Sequence, residues 1–110
     1  MVRTLKFIVD GQMIKPDPNC DFTGLVPGTE GYLQADFSFS PEWDGCIKVA
    51  TFHSTMGKEY SPQVLIGGVS CMIPSEALKK RTFKVGVIGK NGGRKMTTNR
   101  LAVTQNGGKV

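Results

Sequence analysis

Along most of this chain apolar residues recur at every second position, the period of strands half-buried against a core. In residues 32–40, Leu33, Ala35, Phe37 and Phe39 share one face, while Gln34, Asp36, Ser38 and Ser40 share the other. Pro41 cannot donate to a ladder and Asp44-Gly45 suits a tight turn. The chain is therefore expected to reverse around Trp43, the single tryptophan, and to run back as residues 46–53. Residues 4–9 place Leu5, Phe7 and Val9 on one face, and Asp10-Gly11 is a hairpin signal into a short return at Met13 and Ile14.

The remaining segments are read in the same way. Residues 15–31 hold Pro16, Pro18 and Pro27 with Gly24, Gly28 and Gly31. They are expected to form a long irregular connection, suited to a crossover between sheets or to a functional loop. Residues 59–66 read as a strand whose Pro62 argues for an edge or a bulge, and 69–73 as another. Residues 74–80 are the one plausible helix, about two turns long. It has either Pro74 in its first turn or Ser75 as cap, with Glu76 near the positive end and Lys79 and Lys80 near the negative end. Residues 82–89 and 95–104 read as a hairpin around Asn91-Gly92-Gly93. The sum is an all-β fold, an antiparallel two-sheet sandwich of about seven strands with one short helix near 74–80. A small barrel is the alternative. A single domain over 1–104 and a flexible tail at 105–110 are expected. Phe37, Phe39, Trp43, Phe52 and Phe83 are assigned to the core, with Trp43 plugging one end of the sandwich rather than serving as an exposed anchor.

Composition fits this picture. The chain has 110 residues with 39% hydrophobic and 14 glycines, enough for one modest core and many turns. It contains no apolar run of the about 20 residues needed to cross a membrane as a helix. Its start, Met-Val-Arg-Thr-Leu-Lys-Phe, has no apolar segment of the secretory kind. The expectation is a protein made and kept in the cytoplasm, or leaving with a particle rather than through secretion, with no membrane partner.

Candidate chemistry is sparse. The cysteines, Cys20, Cys46 and Cys71, have no close pairing and only His53 could join them. No zinc site or other cofactor is expected, and the bland reading is three wholly or partly buried free thiols. Cys46 and His53 open and close one strand, more than about 20 Å apart, so they cannot form a dyad. Cys71 has no surroundings that would activate a thiol. Asp36, Glu42 and Asp44 are explained by strand surface and turn chemistry. The glycines around Lys90 fail the phosphate-loop pattern and fit a hairpin tip. No catalytic residue is assigned.

Charge changes the picture more. Residues 1–78 hold five Lys/Arg against nine Asp/Glu, whereas residues 79–110 hold nine Lys/Arg and no acid. Lys79, Lys80, Arg81, Lys84, Lys90, Arg94, Lys95 and Arg100 are the candidate interaction residues, expected to form a solvated face or to dock onto an acidic protein. Nucleic acid is the weaker reading, because the only aromatic of this region is Phe83, already assigned to the core.

Three blocks carry a family likeness. They are Phe37-Ser38-Phe39-Ser40-Pro41-Glu42-Trp43-Asp44-Gly45 with Lys48-Val49-Ala50-Thr51-Phe52; Cys71-Met72-Ile73-Pro74-Ser75-Glu76-Ala77-Leu78; and Phe83-Lys84-Val85-Gly86-Val87-Ile88-Gly89 with Thr97-Thr98-Asn99. In this order they resemble immunoglobulin-like modules of virion structural proteins from bacteriophages and prophages of Gram-positive gut bacteria, found in tail-fibre, baseplate and head-fibre chains. The likeness covers roughly residues 30–100 and brings no fibre shaft or receptor-binding tip. It implies a non-enzymatic adaptor or decoration module in the virion, docking to another virion protein or to itself. A small phage protein that blocks a host factor such as a defence nuclease is the alternative, and a basic nucleic-acid-binding barrel the second.

Overall fold

The computed structural model describes residues 2–106. Among them the alternating segments form nine strands in two sheets packed as a sandwich. The first sheet contains β1 (Arg3–Asp10), β2 (Met13–Pro16), β3 (Leu33–Phe39) and β6 (Ser70–Met72), in the order β2-β1-β3-β6. The second contains β4 (Ile47–Ser54), β5 (Gln63–Val64), β7 (Thr82–Asn91), β8 (Arg94–Thr97) and β9 (Leu101–Thr104). Its order is β5-β4-β7-β8, with β9 also paired to β7. Pairing is antiparallel except between β1 and β3, which run parallel with Phe7 opposite Phe37.

That parallel pair follows from the long connection at 15–31. It returns the chain to the end where β1 began, so β3 starts beside Arg3. The connection is pinned in passing. Arg3 donates from Nη2 to the carbonyls of Asp21 and Thr23 at 2.9 and 2.7 Å, and the Gly28 N–H donates to the Leu78 carbonyl at 2.7 Å.

The Trp43 corner does reverse the chain, but β3 and β4 lie in different sheets, so it arches across the core instead of closing a hairpin. Pro41–Trp43 form one 3-10 turn that tips the indole inward, where it is fully buried. Its Nε1–H donates to the Gly11 carbonyl at 2.8 Å and its ring lies 5.3 Å from that of Phe39. The Gly11 N–H in turn donates to Ser40 Oγ at 2.9 Å. Gly11 sits in the β1–β2 turn at φ +58°, a conformation a side chain would strain.

Phe37, Trp43, Phe52 and Phe83 are buried core residues, joined by Leu5, Phe7, Val9, Val85 and Val87. Phe39 departs from its expected place. It is only half-buried at the rim, with Lys48 Nζ 5.0 Å above its ring.

Four other elements differ from the reading. The strand expected over 59–66 shrinks to β5 plus an isolated Glu59 bridge to His53, because Pro62 interrupts donation. The strand expected over 95–104 splits into β8 and β9 at 98–100, where Asn99 crosses to the other sheet. Its N–H donates to the Gln12 carbonyl at 3.1 Å and its Oδ1 accepts the Ile14 N–H at 2.8 Å. The two-turn helix near 74–80 is a single 3-10 turn, Ala77–Lys79. Burial of Ala77 and Leu78 anchors this segment, and Lys80 is already extended toward β7. Finally, Gln105 belongs to the folded unit and not to a tail. It is buried, and its Nε2 donates to the carbonyls of Leu78 and Lys80 at 3.1 and 2.8 Å. Residues 107–110 of the expected tail lie outside the described residues.

Candidate binding surfaces

The eight basic candidates do not form one face, and Lys84 lies within β7 itself. Lys79, Lys80 and Arg81 lie ahead of β7, at the end of the sandwich where β4 finishes. Lys90, Arg94 and Lys95 occupy the β7–β8 hairpin, at the far end of a ten-residue strand and thus about 30 Å away. Arg94 is engaged structurally, donating from Nη2 to the Glu42 carbonyl at 3.1 Å and so fastening the tryptophan corner. Arg100 lies on the outer face of the second sheet, beside His53 and Glu59.

At the first end the cations do converge. Lys79, Lys80 and Arg81 line a cleft of about 790 Å³, closed on its other side by residues 54–58. That second wall is an ordered turn, with Ser54 Oγ accepting the Met56 and Lys58 N–H groups at 3.2 and 3.0 Å. It contributes Lys58, a fourth cation not singled out in the sequence because it stands alone beside Glu59, 21 residues before Lys79. Glu76 is the only carboxylate in the lining. Its Oε1 accepts the Ser61 N–H at 2.8 Å. Hydrogen bonding to the Ser61 side chain and then to its N–H, helped by Lys58 and Lys79, holds its pKa below the usual range.

A second surface was also missed. Even-numbered residues of β4, including Ala50 and Phe52, face the core, and odd-numbered ones face outward. In the ladder Val49 lies between Val64 of β5 and Ile88 of β7. The Leu65 N–H donates to the Lys48 carbonyl at 3.0 Å, continuing the ladder and bringing Ile66 opposite Ile47. The result is an aliphatic row on the outer sheet face, in which Ile47, Val64 and Ile66 are 70%, 64% and 75% exposed. No charged residue occurs between Glu59 and Glu76. The signal was present in the sequence, since this strand has Ile47 and Val49 on one face as well as Ala50 and Phe52 on the other, a pattern expected where both faces are covered.

The lone imidazole meets no thiol. His53 points outward from β4 beside Thr51, Thr98 and Arg100. Cys71 is buried in β6 of the other sheet, Cys46 precedes the far end of β4, and Cys20 lies in the long connection, where it accepts the Lys6 N–H at 3.3 Å. All three are free thiols, as expected. Burial, with a smaller contribution from Asp36, pushes the Cys71 thiol up to about 12, which keeps it protonated. Among the described residues no group of three or more His, Cys, Asp or Glu could hold a metal ion, and no helix is long and apolar enough to cross a membrane.

His53 is 4% exposed and its Nδ1 has no hydrogen-bond partner among the described residues. Burial lowers its pKa from 6.5, Arg100 adds to this, and Glu59 opposes it. The unfolded chain therefore takes up this proton at a higher pH than the folded one. The stability held above pH 6.5 should be lost as pH falls from there through the depressed folded value. Thermal unfolding followed by circular dichroism between neutral pH and about pH 5 should show a falling midpoint. His53→Gln should remove that slope, and a wild-type midpoint flat over this interval would contradict the assignment.

No family model, curated protein or solved structure matches this chain.

Proposed function

We propose that the chain is a non-catalytic docking module of a bacteriophage particle, of the immunoglobulin-like kind, that attaches to another virion protein or to a second copy of itself. The aliphatic row in which exposed Ile47, Val64 and Ile66 flank half-buried Val49 and Ile88 carries this reading. Soluble domains rarely leave such a stripe on a sheet face beside an edge strand, and they usually guard that edge with charge. Here the edge strand β5 has no charged residue, and the turn that follows it exposes Ile66 and Val69. The separation of imidazole and thiols further supports a role without covalent chemistry. The likeness of residues 30–100 to virion modules supplies the setting.

Mass spectrometry of particles purified from cultures carrying this gene tests the proposal. The chain should be found in several copies per particle. Ile66→Asp should remain folded by circular dichroism, because Ile66 is exposed, and should lower incorporation about tenfold or more. A chain abundant in the lysate but absent from particles, and instead co-purifying with a host enzyme, would sink the virion role.

A further inference from the structure

The cationic cleft lies at the end of the sandwich, apart from the aliphatic row, and has its own chemistry. Lys58 comes from one wall, and Lys79, Lys80 and Arg81 from the other. All four are exposed. Glu76, the only acid present, already has its carboxylate bound to a backbone N–H. The cleft thus holds an uncompensated excess of positive charge in a concavity, where field lines concentrate.

We infer that this cleft binds an extended acidic peptide, a run of Asp or Glu side chains on a partner protein. Its volume, about 790 Å³, exceeds what a single small anion would fill and lies in the range of sites that hold several groups at once. Its cations are three lysines and one arginine, supplied by two separate segments of the chain. That arrangement suits several independent carboxylates better than one bidentate oxyanion. Met56, 93% exposed on the turn wall, offers an adaptable apolar contact for the peptide's backbone and stems. Single-stranded nucleic acid needs exposed rings on which bases stack. Tyr60, the aromatic residue in the lining, is buried with its N–H bonded to the Phe52 carbonyl. The acidic peptide is therefore the better fit.

This inference rests on the docking reading but names the chemistry of a different surface, so the two can fail separately. Fluorescein-labelled decaglutamate, followed by anisotropy with the intact chain, is the direct probe. Binding is expected at about 25 mM salt, where charges act over roughly 20 Å, and should weaken about tenfold or more at about 300 mM. Lys58→Ala and Lys80→Ala should each weaken it about 3–10-fold, as expected for a single cation in a complementary site. Lys95→Ala, at the opposite end, and Ile66→Asp should change it less than about twofold. Absence of binding at low salt would overturn the inference. So would an equal loss in Lys95→Ala, which would mean attraction by net charge alone. Tighter binding of a ten-nucleotide single strand than of decaglutamate would assign the cleft to nucleic acid instead.

Discussion

Trp43→Ala is expected to cost about 3–5 kcal/mol of unfolding free energy, the loss typical of deleting a buried aromatic ring. A small domain holds only about 5–15 kcal/mol in total, so the variant should be largely unfolded or close to it at 37 °C. The indole is fully buried at the corner where the two sheets are bridged, and its removal leaves a cavity between Phe39, Gly89 and the β1–β2 turn. Trp43→Phe separates the two contributions of this side chain. It keeps part of the ring volume but leaves the Gly11 carbonyl without its donor, and should cost about 1–3 kcal/mol through that carbonyl alone. Urea unfolding followed by circular dichroism checks both variants. A Trp43→Ala protein with an unchanged midpoint would show that the corner is held by other contacts.

Gly89→Ala is expected to be the second most damaging substitution, at about 2–3 kcal/mol, although it adds a single methyl group. A Cβ at this position would lie 2.7 and 2.8 Å from two carbons of the Trp43 ring, and 3.3 Å from the Cys46 Cβ. The ring cannot retreat easily, because Phe39 stands against it and the Gly11 carbonyl fixes its nitrogen. Glycine is therefore required in β7 by the close approach of another side chain, since its φ is not in the left-handed region. The two sites should be strongly coupled. In a Trp43→Ala background the Gly89→Ala methyl enters vacated space, and the double variant should be more stable than the sum of the single losses by about 1–3 kcal/mol. Additive losses would place the source of the Gly89→Ala penalty elsewhere.

These two residues show how far a linear reading reaches. Trp43 was legible as a core plug because a lone indole followed an alternating strand and sat between turn residues. Gly89 was not legible in that role, because its partner is 46 residues away in the chain. The same division holds at the surfaces. Lys79, Lys80 and Arg81 stood out as adjacent charges, yet the cleft needs Lys58, which reaches it only because β4 ends beside the start of β7. Lys90, Arg94 and Lys95 looked equivalent to them in composition, and the length of β7 sets them at the other end. The aliphatic row left a trace in the two-faced apolar pattern of residues 47–52, but its full extent depends on the register between β5, β4 and β7.

What the amino-acid order determined by itself was local. Period-two alternation chose strands and their inward faces, while glycine, proline and Asp-Gly pairs chose where they end, because side-chain direction and backbone freedom are properties of a few consecutive residues. Only the tertiary structure decided which strands became neighbours: the parallel β1–β3 pair, the arch of β3 and β4 across the core, and the splitting of 95–104 by Asn99. Those choices depend on joint burial and hydrogen-bond pairing of segments far apart in sequence, and no local window contains that information.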